Sequence, residues 1–354
     1  MSEDKLLEIN NLTVSIKEGK EMLPVVRGIN ITVPRNKIIG IVGESGCGKS
    51  ITAKSINHIL PPAAKITAGS MIWHEASGQQ TDLVTLKEKE IRKRCGKDLA
   101  MIFQEPMSSL NPMMTIGSQI KELLKIHKLE NNPQKAKARV IEMLDAVGIP
   151  EPALRYKAYP HELSGGMRQR VMIAMAMIGQ PKLLIADEPT TALDVTTQAQ
   201  ILKLIRKMCE SYSMSALMIT HNMGVVSSTC DYVYVMYLGT IMEEALTQEL
   251  FNNPLHPYTR GLLSSIPKLG DNPEFLKTIP GNIPVDSKKF KGCKFCMRCS
   301  DDIKKCFFEE APLYKVSENH YVRCHLAGSD NKIVNSEDTS NKAGSETVKG
   351  GKNK

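Results

Sequence analysis

The chain of 354 residues contains no apolar run approaching the roughly eighteen uninterrupted residues of a membrane-spanning helix. Its first residues, "MSEDKLLEIN", lack the basic start and apolar stretch of a secretory leader. These two absences argue against a spanning or secreted chain. Cysteine is scarce for most of the length: Cys47, Cys95, Cys209 and Cys230 are spread widely, and then Cys293, Cys296, Cys299, Cys306 and Cys324 crowd together near the end. In a reducing compartment an odd total of nine thiols argues against a disulfide framework and for metal or redox chemistry at the cluster. There is no internal repeat. Beyond Leu326 the chain runs "AGSDNKIVNSEDTSNKAGSETVKGGKNK", with almost nothing apolar to bury, so residues 327–354 are expected to form a disordered tail.

The remainder is ordinary for a globular chain: 42% hydrophobic and 24% charged residues suffice for the cores of two domains. A formal charge of +8 points to an acidic partner, whether nucleotide phosphate, nucleic acid or the inner face of a membrane. Alternation in "LLEINNLTVSI" and "VVRGINITVP", with a turn at "KEGKE", predicts an antiparallel strand pair. The apolar run Ile38 to Val42 predicts a buried strand that passes through glycines into a helix beginning near Lys49. Residues 111–159 carry helical periodicity, and "KLLIAD" at 182–187 and "ALMIT" at 216–220 read as further buried strands. Strands alternating with helices predict an α/β fold whose parallel sheet is covered on both faces. A composition shift at "FNNPLHP", residues 251–257, marks a domain boundary.

"GESGCGKS", Gly43 to Ser50, fits G-x-x-x-x-G-K-[ST] in the strand–loop–helix setting that this motif requires. Along Gly43, Glu44, Ser45, Gly46, Cys47, Gly48, Lys49, Ser50 and Ile51, the glycines let successive N–H groups turn toward phosphate oxygens, and the helix start adds partial positive charge. Lys49 is expected to reach the β- and γ-phosphates and Ser50 to hold Mg²⁺, with Cys47 a loop residue and no ligand. "LLIADEPT" ends a buried strand on Asp187, opposite Ser50 for the metal, and the adjacent Glu188 suits a catalytic base that polarises water. Taken singly, these stretches could be a glycine turn before a helix and a solvated acidic pair. Their occurrence in register within one α/β pattern favours a nucleotide site.

"LSGGMRQR" at 163–170, shortly before "LLIADEPT", resembles the signature of the ATP-binding-cassette ATPases. Gln104 in "MIFQEP" is similar to that family's Q-loop glutamine, "ALD" at 192–194 to its D-loop, and His221 in "MITHN" to its switch histidine. The resemblance implies a P-loop NTPase cassette with a parallel core sheet, an antiparallel β subdomain and a helical insertion at about 111–165. It also implies ATP as substrate, Mg²⁺ at Ser50, Gln104 and Asp187, and catalysis by Glu188 with His221 and Gln104. Ser164, Gly165 and Gly166 stand ahead of a helical run, where their N–H groups make an anion site. By resemblance that site closes on the γ-phosphate held by a second cassette.

"QEPMSSLNPMMTIG", "HNMGVV" and "NNPLHPYTRGLLSSIP" narrow the resemblance to the ATPase subunits of oligopeptide and dipeptide importers, with nickel importers as near relatives. The match runs from about residue 6 to 326, giving an ATPase domain at 1–255, a small cysteine-rich C-terminal domain at 256–326, and the tail. It implies a second, related ATPase subunit, two membrane permease subunits, an extracytoplasmic peptide-binding protein reached indirectly, and a place on the cytoplasmic face of the membrane. One departure is Ile16, where such cassettes usually carry an aromatic residue that stacks on adenine; an aliphatic side chain offers less contact.

The late cysteines have two, two, six and seventeen residues between them, matching neither zinc-ribbon knuckles nor a ferredoxin run. Thiolates are soft donors, so the chemistry leaves open an iron–sulfur cluster, structural zinc or reduced thiols. The family's closing pattern implies a [4Fe–4S] cluster at Cys293, Cys299, Cys306 and Cys324, with Cys296 extra to it. Every phosphate-handling residue is then expected before Phe251. The competing class is a nucleic-acid-processing cassette protein. A single cassette, and the absence of basic and aromatic interleaving in "CKFCMRCSDDIKKC", argue for no nucleic-acid partner.

Overall fold

A computed structural model describes residues 4–104, 109–191, 193–266, 279–282, 290–327 and 332–333. Ala192 of "ALD", residues 105–108 after Gln104, and nearly all of the tail expected to be disordered lie outside the described residues.

β1 (Lys5–Glu18) and β2 (Glu21–Pro34) pair antiparallel around the predicted turn. β3 (Ile38–Val42) follows. β4 (Ala64–His74) and β5 (Gln80–Asp82) then complete a four-stranded antiparallel sheet of order β2-β1-β4-β5. β6 (Leu99–Ile102), β7 (Leu183–Asp187), β8 (Ser215–Thr220) and β9 (Tyr232–Tyr237) lie parallel with β3 in the order β6-β7-β8-β3-β9. β10 (Thr240–Leu246) pairs antiparallel with β9, and β11 (Tyr314–Ser317), β12 (His320–Val322) and β13 (Lys332–Ile333) continue the same sheet.

β3, β7 and β8 are buried along their whole length, and successive side chains point to opposite faces. Ile39, Ile41, Ile185, Leu217 and Ile219 enter the core shared with the antiparallel sheet. Val42, Leu184, Ala186, Ala216 and Met218 enter the core beneath the helices. Both faces being dry, the strands read as unbroken apolar runs rather than alternating ones. The stretch with helical periodicity contains helices Ile116–Ile126, Pro133–Ala146 and Pro152–Arg155. Thr115 and Asn132 cap the first two, and their buried Ile120, Leu124, Val140 and Leu144 belong to the core beneath the helices.

The register decides where the functional loops emerge. Val42 lies opposite Thr220, Asp187 opposite Ile219 and Ile102 opposite Ala186. The strands therefore stop at one level, and the loops after β3, β6, β7 and β8 leave at one edge, where open parallel sheets hold ligands.

The sheet also runs through the composition shift at 251–257. β12 pairs with β10, and Cys293 and Phe295 join the core beneath the helices. Fully buried Glu243 accepts hydrogen bonds from the backbone N–H of Leu255 (2.7 Å) and of His256 (3.0 Å), and its Oε1 lies 2.8 Å from Nε2 of fully buried His320. No described helix is long and apolar enough to cross a membrane.

Because β8 is flanked by β3 and β7, the edge depends on its packing. Ile219→Ala, which empties a fully buried site, is expected to cost about 2–5 kcal/mol of unfolding free energy in urea titrations with the m-value kept.

Candidate active site

β3 delivers the chain to the loop 43–48, which leads into the helix Lys49–Ile56. Gly43 sits at φ 154°, and a Cβ there would come within 2.1 Å of the Met236 carbonyl oxygen at the end of β9. Only glycine lets the loop lie against that strand. Lys49 is buried, and its Nζ donates to the carbonyl oxygens of Gly43 (2.8 Å) and Glu44 (2.9 Å), closing the loop on itself. Cys47 is buried with its Sγ 3.7 Å from Lys49 Nζ, and burial raises its thiol pKa, so it is an inert wall of the loop. Ile51 packs partly buried on the same core as Ile16, which pairs with Leu23 and Ala64 within the antiparallel sheet.

Ser50 Oγ donates to Asp187 Oδ1 at 2.9 Å, joining the loop's helix to the end of β7. Asp187 is 3% exposed; burial raises its carboxyl pKa, against the opposing pull of Ser50, Lys54 and Lys49. A hydroxyl and a carboxylate meeting in this way are hard oxygen donors that suit Mg²⁺.

Glu188, one residue on, takes a left-handed backbone conformation (φ 47°), and its N–H donates to Ile219 O at 2.9 Å. Its carboxyl meets three donors. Oε1 lies 3.0 Å from His221 Nδ1, which must carry the proton because a carboxylate only accepts. Oε2 accepts from Thr191 Oγ1 at 3.0 Å and from Gln104 Nε2 at 3.1 Å. Burial pulls the Glu188 pKa up, but the hydrogen bonds from His221 and Thr191 outweigh it and leave the carboxyl below its ordinary value. Of the expected site residues, Gln104, Glu188 and His221 thus form one cluster and Lys49, Ser50 and Asp187 an adjoining one. Gln104, also expected at Mg²⁺, directs its amide to Glu188.

Ser164 caps the helix Gly165–Met177, its Oγ accepting from Met167 N at 3.3 Å. Ser164 and Gly165 are exposed, and a Cβ on Gly165 would meet no atom within 4 Å. Gln169 of the same helix donates to Pro189 O at 2.6 Å, tying it to the turn after Glu188. Asp194 likewise caps the helix Val195–Ser211 by accepting from Thr197 N. A groove of about 270 Å³ opens between β6 and the helices, with Met101, Phe103, Leu123, Met172 and Met175 among its walls.

Cys293, Cys296, Cys299, Cys306 and Cys324 line a single pocket beside His256 and Phe295. Cys293 N–H donates to Cys306 O at 2.8 Å, and a Cβ on Gly292 would lie 2.3 Å from that same oxygen. All nine thiols of the chain are free, and burial pushes the Cys293 pKa up to about 12. Among the described residues, no group of three or more His, Cys, Asp or Glu side chains is drawn into metal-ligand geometry. The five cysteines line this one pocket without that geometry.

Tyr258 and Arg298, both beyond Phe251, touch the phosphate loop. Tyr258 Oη accepts from Glu44 N at 2.8 Å, and Arg298 forms a forked pair with the Glu44 carboxylate at 2.6 and 3.0 Å. Partners 254 residues apart leave no local signal; in the sequence Arg298 reads only as a neighbour of Cys299.

An ABC transporter family profile matches residues 26–191, and one for the oligopeptide/dipeptide transporter C-terminal region matches residues 242–306. A putative peptide import ATP-binding protein of Brucella ovis is 46% identical over 331 residues, covering 92% of this chain and 98% of its own length. The oligopeptide transport ATP-binding protein OppD of Bacillus subtilis is 45% identical over 328 residues, covering 92% and 90%. A solved dimeric bacterial ABC transporter cassette superposes with a TM-score of 0.60 at 25% identity over 68% of this chain and 99% of that one. For cbiO1 of Clostridium perfringens, part of the ABC transporter complex cbiONQ, the TM-score is 0.59 at 26% identity, over 71% and 92%. Fold and phosphate loop together define an ABC-type ATPase cassette. Within that class, the chain belongs to the family of oligopeptide/dipeptide transport ATP-binding proteins.

The donors to Glu188 hold its pKa below the ordinary value. Thr191→Val removes one of them and is expected to move the carboxyl titration to higher pH, read from the side-chain carboxyl carbon by NMR. An unmoved titration would mean that this hydroxyl does not stabilise the charge.

Proposed function

We infer that this chain is the ATP-hydrolysing subunit that powers a peptide importer. The observation that carries the reading is the convergence of the phosphate loop, the Ser50–Asp187 pair and the Glu188 cluster on one sheet edge, in a chain 45% identical to an oligopeptide transport ATP-binding protein. Lys49 and the loop N–H groups bind the phosphates. Ser50 and Asp187 would hold Mg²⁺, which when bound neutralises charge on the β- and γ-phosphates. Glu188 orients and polarises the attacking water, with His221 and Gln104 holding its carboxylate in place.

Ser164 and Gly165 are exposed, which supports a half-site completed by a second cassette, here a related partner subunit. The groove beside Phe103, Met172 and Met175 is suited to receive a segment of a permease subunit, because adaptable thioether side chains line it. Two such permeases, an extracytoplasmic peptide-binding protein upstream, and a place on the cytoplasmic face of the membrane complete the reading. Residues 1–255 serve as the ATPase domain and 256–326 as the C-terminal domain.

The five thiols of one buried pocket support a soft-metal site. In this reading Cys293, Cys299, Cys306 and Cys324 hold a [4Fe–4S] cluster and Cys296 is a spare; zinc is the alternative. Either would supply a clip that orders a segment too small for a strong core of its own.

Glu188→Gln is expected to keep Mg-ATP binding and to lose at least about a hundredfold in turnover in the assembled complex, while Lys49→Ala loses both. Near-normal hydrolysis by the Gln variant would remove Glu188 from the role. For the cysteines, protein purified without oxygen should contain iron and acid-labile sulfide, both lost in Cys306→Ser and kept in Cys296→Ser. Stoichiometric zinc would decide for the alternative, and protein with neither metal would make these residues ordinary thiols.

A further inference from the structure

Glu44 is an acidic residue in a loop built to receive anions, and the chain neutralises it from far away. Arg298 is buried, with a side-chain exposure of 4%, at the end of the single 3₁₀ turn Cys296–Arg298. Its Nη1 donates to Glu44 Oε2 at 2.6 Å and Nη2 to Glu44 Oε1 at 3.0 Å, the parallel fork that only a guanidinium makes. The remaining donors are also engaged: Nε with Pro280 O at 3.0 Å, Nη1 with Tyr237 Oη at 3.3 Å, and Nη2 with Ile279 O at 3.3 Å. The guanidinium carbon lies 5.8 Å from the ring centroid of Tyr237 and 5.9 Å from that of Phe295. Glu44 is held by its backbone as well, since its N–H is taken by Tyr258 Oη. The pair raises the Arg298 pKa further above its ordinary value, the Glu44 hydrogen bonds being the largest cause, so the cation persists at any working pH.

We propose that Arg298 is a positioning residue for nucleotide binding, which cancels the Glu44 charge and pins the first residues of the phosphate loop, so that the cysteine-bearing turn sets the affinity of the ATP site. The proposal rests on the reading that this loop holds ATP. Two physical consequences follow from removing the guanidinium. A half-buried carboxylate is left unpaired on the loop that accepts a triphosphate, and like charges at that range repel strongly where water is partly excluded. The loop also loses its side-chain anchor while keeping Lys49 and Tyr258. The effect therefore falls on binding, because Glu188, His221 and Gln104 are bonded to one another and not to Arg298.

The test measures Mg-ATP affinity of the full chain by titration calorimetry, and KM and kcat in the assembled complex. Arg298→Gln should raise Kd about tenfold, ~1.4 kcal/mol, and KM in parallel, with kcat at saturating ATP within about twofold. Adding Glu44→Gln to that variant should restore most of the affinity, because the unpaired charge is gone. Arg298→Lys, which keeps the charge and loses the fork, should lie between wild type and Arg298→Gln. Wild-type Kd in a folded Arg298→Gln protein would overturn the proposal, as would a double variant that binds worse than Arg298→Gln alone. A loss confined to kcat would overturn it too. Should Arg298→Gln fail to fold, Arg298→Lys alone takes its place: a raised Kd with kcat kept is the expected result, and a wild-type Kd would overturn the proposal. Wild-type chain that does not bind Mg-ATP would instead sink the ATP reading itself.

Discussion

The level at which four buried parallel strands stop governs the rest of this protein. β3 and β7 both pair with β8, and their last residues lie opposite Thr220 and Ile219. A slip of one residue would exchange the two faces of a strand and drive its side chains into the wrong core. Apolar packing on both faces therefore fixes the register, and the register places the phosphate loop, Asp187, Glu188 and His221 at one edge. The energy lies in the hydrophobic core; the chemistry lies in the polar residues just past its end.

That edge concentrates charge beside the end of the buried core, and the structure manages it by pairing. Burial raises the Asp187 pKa against the pull of Ser50 and two lysines, whereas the donors to Glu188 hold its pKa below the ordinary value. Two adjacent carboxyls consequently sit in opposite electrostatic settings, one suited to a metal and one to a water molecule. Glu188 takes a left-handed backbone conformation, a local strain set beside the hydrogen bond from its N–H to Ile219 O.

The C-terminal segment is joined to the cassette by the same means. Its strands extend the large sheet, Glu243 gathers Leu255, His256 and His320, and Arg298 reaches the phosphate loop. Burial pushes the His256 pKa down to about 4, so this imidazole stays neutral and its Nδ1 accepts from Tyr258 N. Breaking any of these contacts would strand a buried polar group, which is far more costly than never having built the pair. The segment is thus held by specific bonds together with Tyr258, Leu262, Cys293 and Phe295, which belong to the core beneath the helices.

Much of this was legible in the residues. Gly43 to Ser50, Asp187, Glu188 and the strands Ile38–Val42, 182–187 and 216–220 could be named because glycine conformations, apolar runs and motif spacing act over a few residues. β6 is only four residues long, and the neighbours of β6 and β9 are chosen by tertiary packing and not by local pattern, so the order β6-β7-β8-β3-β9 could not be read. The sequence by itself determined the phosphate loop, the acidic pair and the crowding of five cysteines. Only the tertiary structure decided that Glu188 faces His221, Thr191 and Gln104, that the five sulfurs share one pocket, and that Arg298 neutralises Glu44 across 254 positions. The physical reason is range: backbone propensity and periodicity are local, whereas the partner of a buried charge is chosen by whichever strands and turns the folded core brings beside it.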